Sequence, residues 1–575
     1  MAHEFDLVLR NGTVIDGTGS DPFNADVAVR DGRIAALGTF AGRGKDEIDA
    51  KSHLVTPGFV DIHTHYDGQA IWSQNLAPSS LHGVTSVVMG NCGVGFAPCR
   101  AADRELLVSV MEGVEDIPEI VMTSGLEWEW ESFPEYLSAL ARRSHDIDFA
   151  TQIPHSALRV YAMGSRGAER EPATAEDLAL MQKLVREAID AGALGFATSR
   201  IFIHRTASGA HIPSYDAAEG ELQAIGQTLK EMGKGTLQFV LGMPWRDLAS
   251  EVELVARLAR ASGRPASFSL AQDNSRPDSW RDALAICARA KRDGAVVNAQ
   301  VFPRGVGMII GHDVSVNPFC LCPSYQALGR LPFAEKIAAL KDPSLRAHLL
   351  SEKPLDPIAP LAVMGRYFER MFELSDPPDY EPPLSQSIAA RARASNQSAE
   401  ELVYDLLLEN DGHKRLYVIL TNYAAGNLDC VLEMMQSTET ILGLGDGGAH
   451  YGMICDSGYP TFVLTHWTRD RQGAKLPLPR AIRALAHDPA AAVGLHDRGM
   501  IKQGYKADLN VIDYDKLSLP APFVVSDLPA GGKRLMQHAS GYAATIVSGE
   551  IIRRNGEGTG KLPGRLVRGA QNAAG

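Results

Sequence analysis

No apolar stretch in this 575-residue chain reaches the roughly 18 residues that a membrane-spanning helix needs. The opening Met1-Ala2-His3-Glu4-Phe5-Asp6 lacks the basic start and apolar run of a secretion signal. These two absences predict a cytoplasmic protein with no membrane partner. Basic runs are also missing, with nothing longer than short pairs such as Arg142-Arg143, and the net charge is −13, from 56 Lys and Arg against 69 Asp and Glu. That argues against a nucleic-acid partner, because phosphate recognition needs clustered basic surface. Cysteine is scarce: there are seven, an odd number at no disulfide-scaffold spacing, so most are expected to be plain buried thiols. Neither an internal repeat nor a low-complexity tract is visible. What remains is ordinary globular composition, 45% hydrophobic and 22% charged, in a chain long enough to bury a large core without disulfides.

The two ends read as β structure. Phe5-Asp6-Leu7-Val8-Leu9 leads to the turn pair Asn11-Gly12, and Asp31-Gly32 separates Val27-Ala28-Val29 from Ile34-Ala35-Ala36-Leu37, a hairpin signal. Ala507 to Ile512 and Ala544 to Val547 read likewise, which predicts one small β domain from residues 1–56 and 500–575. The middle, 57–499, alternates helix and strand. Thr174-x-x-Asp177 opens a helix in a capping-box pattern, apolar residues then recur at helical spacing, Gly192 ends it, and Leu194 to Thr198 reads as a buried strand. Helices near Val252–Ala261 and Ala283–Arg292 are followed by Ala266–Leu270 and Ala295–Val297; a further helix, Glu400–Leu408, precedes Leu416–Leu420. Helix followed by apolar strand, many times over, predicts parallel β structure, and the number of units favours a (β/α)8 TIM-type barrel over an open sheet. A proline-rich stretch at about 304–398 breaks the rhythm and reads either as a peripheral insertion or as a lid over the barrel mouth.

Three motifs carry chemistry. Val60-Asp61-Ile62-His63-Thr64-His65 ends a strand; side chains two apart on a strand share a side, so His63 and His65 can converge on one metal ion. Gly90-Asn91-Cys92-Gly93 follows the strand Thr85–Met89, and a thiolate exposed there is a strong zinc ligand. Gly443-Leu444-Gly445-Asp446-Gly447-Gly448-Ala449-His450 sets a carboxylate among glycines after an apolar strand, where it can bind the metal and take a proton from water. Taken singly, the competing explanations are a pair of unrelated surface histidines, a structural cysteine and an Asp-Gly turn. Weaker candidates for substrate contact, all near predicted strand ends or loops, are His155, Arg200, His204, Arg304, Asn422 and His450.

These motifs, with Leu7-Val8-Leu9-Arg10-Asn11-Gly12 at the start, Ala191-Gly192-Ala193-Leu194-Gly195-Phe196 in the middle and Gly504-Tyr505-Lys506-Ala507-Asp508-Leu509 near the end, carry a resemblance. The sequence resembles the amidohydrolase superfamily and, within it, the N-acyl-D-amino-acid deacylase family, nearly end to end. The resemblance implies a (β/α)8 barrel with a small β-sandwich formed by both termini, and a zinc-dependent hydrolase of amide (N-acyl) bonds. It implies that His63, His65, Cys92 and Asp446 are metal ligands and that Asp446 is the general acid and base. It fails at two places. The deacylase pattern has a His at the fifth strand end and Ser-His-x-Lys at the sixth. Here the stretches read Gly235-Thr236-Leu237-Gln238-Phe239-Val240 and Phe268-Ser269-Leu270-Ala271-Gln272, with Leu270 where the His is expected and Gln272 where the Lys is expected. One well-occupied zinc per chain is therefore expected, in a divergent subgroup acting on a small-molecule amide, with a homo-oligomer left open. A cyclic amidase, lactonase or deaminase on the same scaffold, or a non-catalytic relative, are the alternatives.

Overall fold

The computed structural model describes residues 3–244, 246–357 and 359–573. Eight parallel strands form its centre: β1 (Phe59–Asp61), β2 (Val84–Met89), β3 (Asp148–Thr151, continued by Ile153–Pro154), β4 (Gly195–Ser199), β5 (Thr236–Val240), β6 (Ala266–Leu270), β7 (Val297–Val301) and β8 (Thr440–Leu442). Each pairs in parallel register with the next. Just beyond the strand ends the ring closes: Asp446 N donates to His63 O at 3.1 Å and His65 N to Gly447 O at 2.7 Å. The result is the (β/α)8 barrel that the alternation of elements predicts.

The outer helices form where the sequence places them. Ala175–Ala191 starts with Thr174 accepting from Asp177 N at 3.3 Å, while the Asp177 carboxylate accepts from Thr174 N at 2.8 Å. The helix buries Met181, Leu184, Val185, Ala188 and Ile189 and ends at Gly192, whose φ of 111° a side chain would resist. Leu248–Ser262 and Ser279–Arg292 end in the same way, at Gly263 and Gly294, both with positive φ.

The small β-sandwich comes from both termini. Strands from residues 5–57 and 509–558 form one nine-stranded sheet, in which Leu509–Ile512 pairs antiparallel with Leu54–Pro57. The long strand Phe5–Val14 shifts register between Leu9 and Gly12, pairing first with Gly44–Asp49 and then with Leu54–Pro57, so the sheet folds over a core that includes Leu7, Val27, Val55, Val511 and Ile546. It docks on the N-terminal end of the barrel. Asn510 donates to Gly83 O at 2.9 Å, Tyr542 donates to His82 O at 3.0 Å, and Arg498 and Lys506 pair with Asp148, at the start of β3, at 2.7 and 2.9 Å.

One strand departs from expectation. Leu416–Ile419 does not belong to the barrel: it pairs antiparallel with Gly307–Ile310 and with Met371–Glu373 in a separate three-stranded sheet between β7 and β8. A short apolar run reads the same whether its partners are parallel or antiparallel, so periodicity does not distinguish the two. The excursion between β7 and β8 therefore runs on past residue 398, to the helix Asp429–Gln436 that precedes β8. Among the described residues no helix is long and apolar enough to cross a membrane.

His82 gives a pH test of the docked interface. It is fully buried, between Thr461 Oγ1 at 2.9 Å and Gln537 O at 3.0 Å, and burial lowers its pKa to about 3. The unfolded chain takes up this proton near pH 6.5 and the folded chain only near 3, so stability falls as pH drops through that window. Replacing His82 with Gln should flatten the fall by up to about 1.4 kcal/mol per pH unit. Denaturant titrations between pH 6.5 and 4.5 measure the slope, and equal slopes for both proteins would refute a neutral buried His82.

Candidate metal centre

The end of β1 carries His63 and His65, and the seam with β8 brings Asp446 against them. Asp446 Oδ1 lies 3.6 Å from Nε2 of each imidazole. From β2, Cys92 Sγ reaches to 3.3 Å of His63 Nε2 and 3.8 Å of His65 Nε2. The donor atoms of His63, His65 and Cys92 lie within 4.8 Å of one another, and among the described residues they form the one cluster of this kind.

Local sequence explains how the groups meet. Asn91 donates to Val88 O at 2.8 Å and Thr64 O at 3.2 Å, which ties the ends of β2 and β1. Cys92 then turns in the left-handed region with φ 55°, as does Asp446 with φ 48°, a conformation uncommon for a cysteine and better tolerated by an aspartate. Gly93 passes so close to β4 that a Cβ there would stand 2.8 Å from Thr198 Cα. At Gly445 a Cβ would stand 2.0 Å from Asp61 Oδ2. Asp61 in turn accepts from His63 N at 3.1 Å, so one buried carboxyl braces both sides of the seam.

Beneath the cluster, amide side chains line the barrel. Gln300 of β7 donates to Ser267 at 2.9 Å and presents its carbonyl oxygen to His63 Nδ1 at 2.8 Å. That fixes the His63 proton on Nδ1 and leaves the Nε2 lone pair facing Cys92 and Asp446. Gln238 of β5 accepts from Cys92 N at 3.3 Å, and Gln152 donates to Asn91 at 3.0 Å. On the other side stands Glu115, last residue of the helix Arg104–Glu115 and almost fully buried, with Oε1 3.3 Å from His65 Nδ1 and Oε2 3.5 Å from His450 Nε2. Neither Glu115 nor Gln300 stands out in the sequence. The sole trace of Glu115 is an acid at the buried end of an apolar helix, and Gln300 is one polar residue in a strand.

The electrostatics are those of a cavity short of positive charge. Burial keeps His63 and His65 neutral by lowering their pKa. Burial raises the Cys92 thiol and the Glu115 carboxyl well above their ordinary values, and nearby carboxylates add to both shifts. Asp61 rises to about 8 and Asp67 to about 7, chiefly by desolvation. Asp446 differs: burial alone would raise it, but its contacts with His65, His63 and His450 favour the ionised form and hold it below the carboxylate range. Buried polar atoms left without a hydrogen bond include His65 Nδ1, both Glu115 oxygens, Asp61 Oδ2 and Gln238 Nε2. Two imidazole lone pairs, a thiol and a carboxylate converging in such a cavity are the donor set of a divalent ion such as zinc.

The remaining candidates separate into two groups. His204 and His450 border the same centre. Burial takes their pKa values down to about 3 and 4, with neighbouring imidazoles adding to the shift, His450 and His65 for His204 and His65 for His450; His204 Nδ1 lies 2.9 Å from Ser199 Oγ, and the His450 ring is 6.4 Å from that of His65. The others have internal partners. His155 lies between Thr198 at 2.8 Å and Glu221 at 2.7 Å. Arg200 forms a two-pronged pair with Glu251, at 3.0 and 3.3 Å. Asn422 joins Gln272 N at 2.6 Å to Arg304 O at 3.1 Å. Arg304 donates to Cys455 O at 3.0 Å, pairs with Asp456 and stacks 3.8 Å over Tyr380. At the sixth strand end, where the family pattern fails, Leu270 is buried and Gln272 accepts from Ala424 N at 3.0 Å while donating to Pro277 O at 3.0 Å.

A model of the amidohydrolase family matches residues 46–553. The D-aminoacylase of Alcaligenes xylosoxydans xylosoxydans is 25% identical over 570 residues, covering 98% of this chain and 97% of that protein. Two solved structures share the fold. A D-aminoacylase with a binuclear metal centre, described by one-metal activation and second-metal attenuation, superposes with a TM-score of 0.65 at 23% identity, over 98% of this chain and 100% of that one. The N-acyl-D-glutamate deacylase of Bordetella bronchiseptica, complexed with zinc and a phosphonate mimic of the tetrahedral intermediate, gives 0.65 at 21% identity over the same shares.

The seam itself can be tested. Gly445→Ala should cost about 2 kcal/mol or more, because the new methyl collides with a buried carboxyl in a packed site. Gly558→Ala, where nothing lies within 4 Å of the new methyl, should be near neutral. Comparable unfolding midpoints for the two variants would contradict the close approach of β8 to Asp61.

Proposed function

The chain belongs to the amidohydrolase family, and from that premise we propose that it is a zinc-dependent hydrolase of an N-acyl amide bond in a small molecule. The observation that carries this reading is the convergence of His63, His65, Cys92 and Asp446 at the C-terminal mouth of a closed barrel, the face on which barrel enzymes build their sites. His63, His65 and Asp446 would hold the ion, with Cys92 beside them or as a further ligand. When bound, zinc supplies Lewis acidity, polarising an acyl carbonyl and making water acidic near neutral pH. Asp446, kept ionised, accepts the proton of the attacking water as its oxygen bonds to the acyl carbon. As the carbon–nitrogen bond breaks, Asp446 returns that proton to the leaving nitrogen. Gln300 holds His63 in the tautomer whose Nε2 lone pair faces the centre.

One tightly held ion per chain is the stoichiometry the donors support. A second would need its own nitrogen or thiolate ligands; the ends of β5 and β6 offer Gln238, already bonded to Cys92 N, and the buried Leu270, while the bordering imidazoles face other groups, His204 Nδ1 toward Ser199 and His450 Nε2 toward Glu115. Gln272, an uncharged amide bonded to Ala424 and Pro277, is also no lysine-like cation for a substrate carboxylate. Cyclic amides and lactones therefore belong in the substrate panel beside N-acyl-D- and N-acyl-L-amino acids.

His63→Ala with His65→Ala should remove both the bound metal and turnover; retention of metal and turnover by the double variant would sink the assignment. Asp446→Asn should keep the fold and lower kcat by about 10²–10⁴-fold. Near-normal turnover in that variant would make Asp446 a turn residue only. Metal analysis of the purified protein should return one zinc per chain. Two full anomalous peaks about 3.5–4 Å apart, the usual two-metal spacing, would contradict it.

A further inference from the structure

Each histidine of the first motif has an acceptor behind it, and the two acceptors differ. Behind His63 Nδ1 is the neutral amide of Gln300, at 2.8 Å and itself oriented by Ser267. Behind His65 Nδ1, at 3.3 Å, is the carboxyl group of Glu115. His65 Nε2 faces Asp446 and Cys92, so a ligand lone pair on Nε2 requires the proton on Nδ1. That proton needs an acceptor inside the protein, because His65 is 1% exposed. Glu115 is also 1% exposed, and among the described residues its ion-pair partners are two imidazoles, His65 and His450. His65 Nδ1 and both Glu115 oxygens are buried without a hydrogen bond, so donor and acceptor each lack a partner and stand at hydrogen-bonding distance from each other.

We propose that Glu115 is the positioning residue of the centre: its carboxyl oxygen accepts a hydrogen bond from the Nδ1–H of His65, sets the ring for metal binding through Nε2, and couples that ring to His450 at the mouth. This role rests on the metal-centre reading above. The helix end is built to deliver the carboxylate. Asp116 follows in the left-handed region with φ 51°, and its own carboxylate accepts from Gly452 N at 2.8 Å and from Ser315 at 3.1 Å. His450 N donates to the backbone carbonyl of Glu115. Gly113, two residues back, allows the helix to press on the loop that follows His204, where a Cβ would stand 2.3 Å from Arg205 O. The backbone bond from His450 and the Asp116 carboxylate therefore clamp this helix end to the Asp446–Gly452 loop independently of the Glu115 side chain, and substitutions of that side chain should fold.

The test is zinc affinity, measured by competition with a chelator of known strength, together with Tm for the metal-free and zinc-loaded forms. Removing an outer acceptor of a ligand histidine typically weakens metal binding 10–100-fold. Glu115→Gln keeps a carbonyl acceptor like that of Gln300 and should sit near tenfold, and Glu115→Ala near a hundredfold. In both variants Tm of the metal-free form should stay close to that of the unsubstituted protein, with the zinc-induced rise in Tm reduced. Zinc affinities within twofold of the unsubstituted protein, while His65→Ala loses binding, would overturn the role of Glu115 and leave the metal centre standing. Equal loss of Tm with and without zinc, or failure to fold, would make Glu115 a packing residue. Lack of tight zinc binding by the unsubstituted protein would remove the metal centre itself, and with it this role.

Discussion

The whole mouth of the barrel depends on the seam where β8 meets β1. Two backbone hydrogen bonds, Asp446 N to His63 O and His65 N to Gly447 O, join segments nearly four hundred residues apart in the chain. Without them the His-x-His pair would face an open edge, and Asp446 would lie on a glycine-rich loop with nothing to define its direction. The glycines around Asp446 follow from the seam. Gly445 must pass the Asp61 carboxyl, and Gly448, with φ 88°, must pass the His65 backbone, so neither has room for a Cβ. A run of glycines that looks like a flexible turn in sequence is here a consequence of crowding.

The seam also creates an electrostatic problem. It draws the buried Asp61, Asp67 and Glu115 beside the partly exposed Asp446, among neutral imidazoles and an uncharged thiol. Elsewhere buried acids meet cations directly: Glu221 pairs with Arg159, and Asp148 pairs with Arg498 and Lys506. At the mouth, no Lys or Arg among the described residues forms an ion pair with Asp446 or Glu115. Acids concentrated away from any paired cation, together with imidazole lone pairs turned inward, are what a bound divalent ion would balance. The same imbalance gives an outer carboxylate such as Glu115 more influence on the ion than one already neutralised by an arginine.

How much of this is legible in sequence depends on whether a residue's partner is local. His63 and His65 are two apart on a strand, and Cys92 and Asp446 each follow an apolar strand among glycines, so strand geometry alone places all four at the mouth. Thr174 and Gly192 bound their helix because capping is also local. Glu115 is different: its meaning comes from a helix end meeting loops from β1 and β8, and the neighbouring residues carry no trace of that. Leu416–Ile419 illustrates the same limit for the fold, since an apolar run does not say which strand it will pair with. Polar residues near strand ends were also ambiguous. Arg200 and His155 lie beside the mouth in sequence order, but buried carboxylates on neighbouring helices, Glu251 and Glu221, take up their hydrogen-bonding groups.

The excursion between β7 and β8 is tied to the site through these interior bonds. Asn422, just past the antiparallel strand Leu416–Ile419, bridges Gln272 after β6 and Arg304 after β7. Arg304 reaches on to Cys455 and Asp456, ten residues beyond Asp446, while its guanidinium stacks on Tyr380 of the excursion. Ser315 of the excursion bonds Asp116, which holds Gly452. The loop that carries Asp446 is thus held on one side by β1, on another by the helix ending at Glu115, and on a third by the excursion. A displacement of the excursion would pull on Arg304 and Asp116 before it reached the barrel strands. Asp446 sits on that loop in a left-handed conformation, so its carboxylate takes its direction from all three supports.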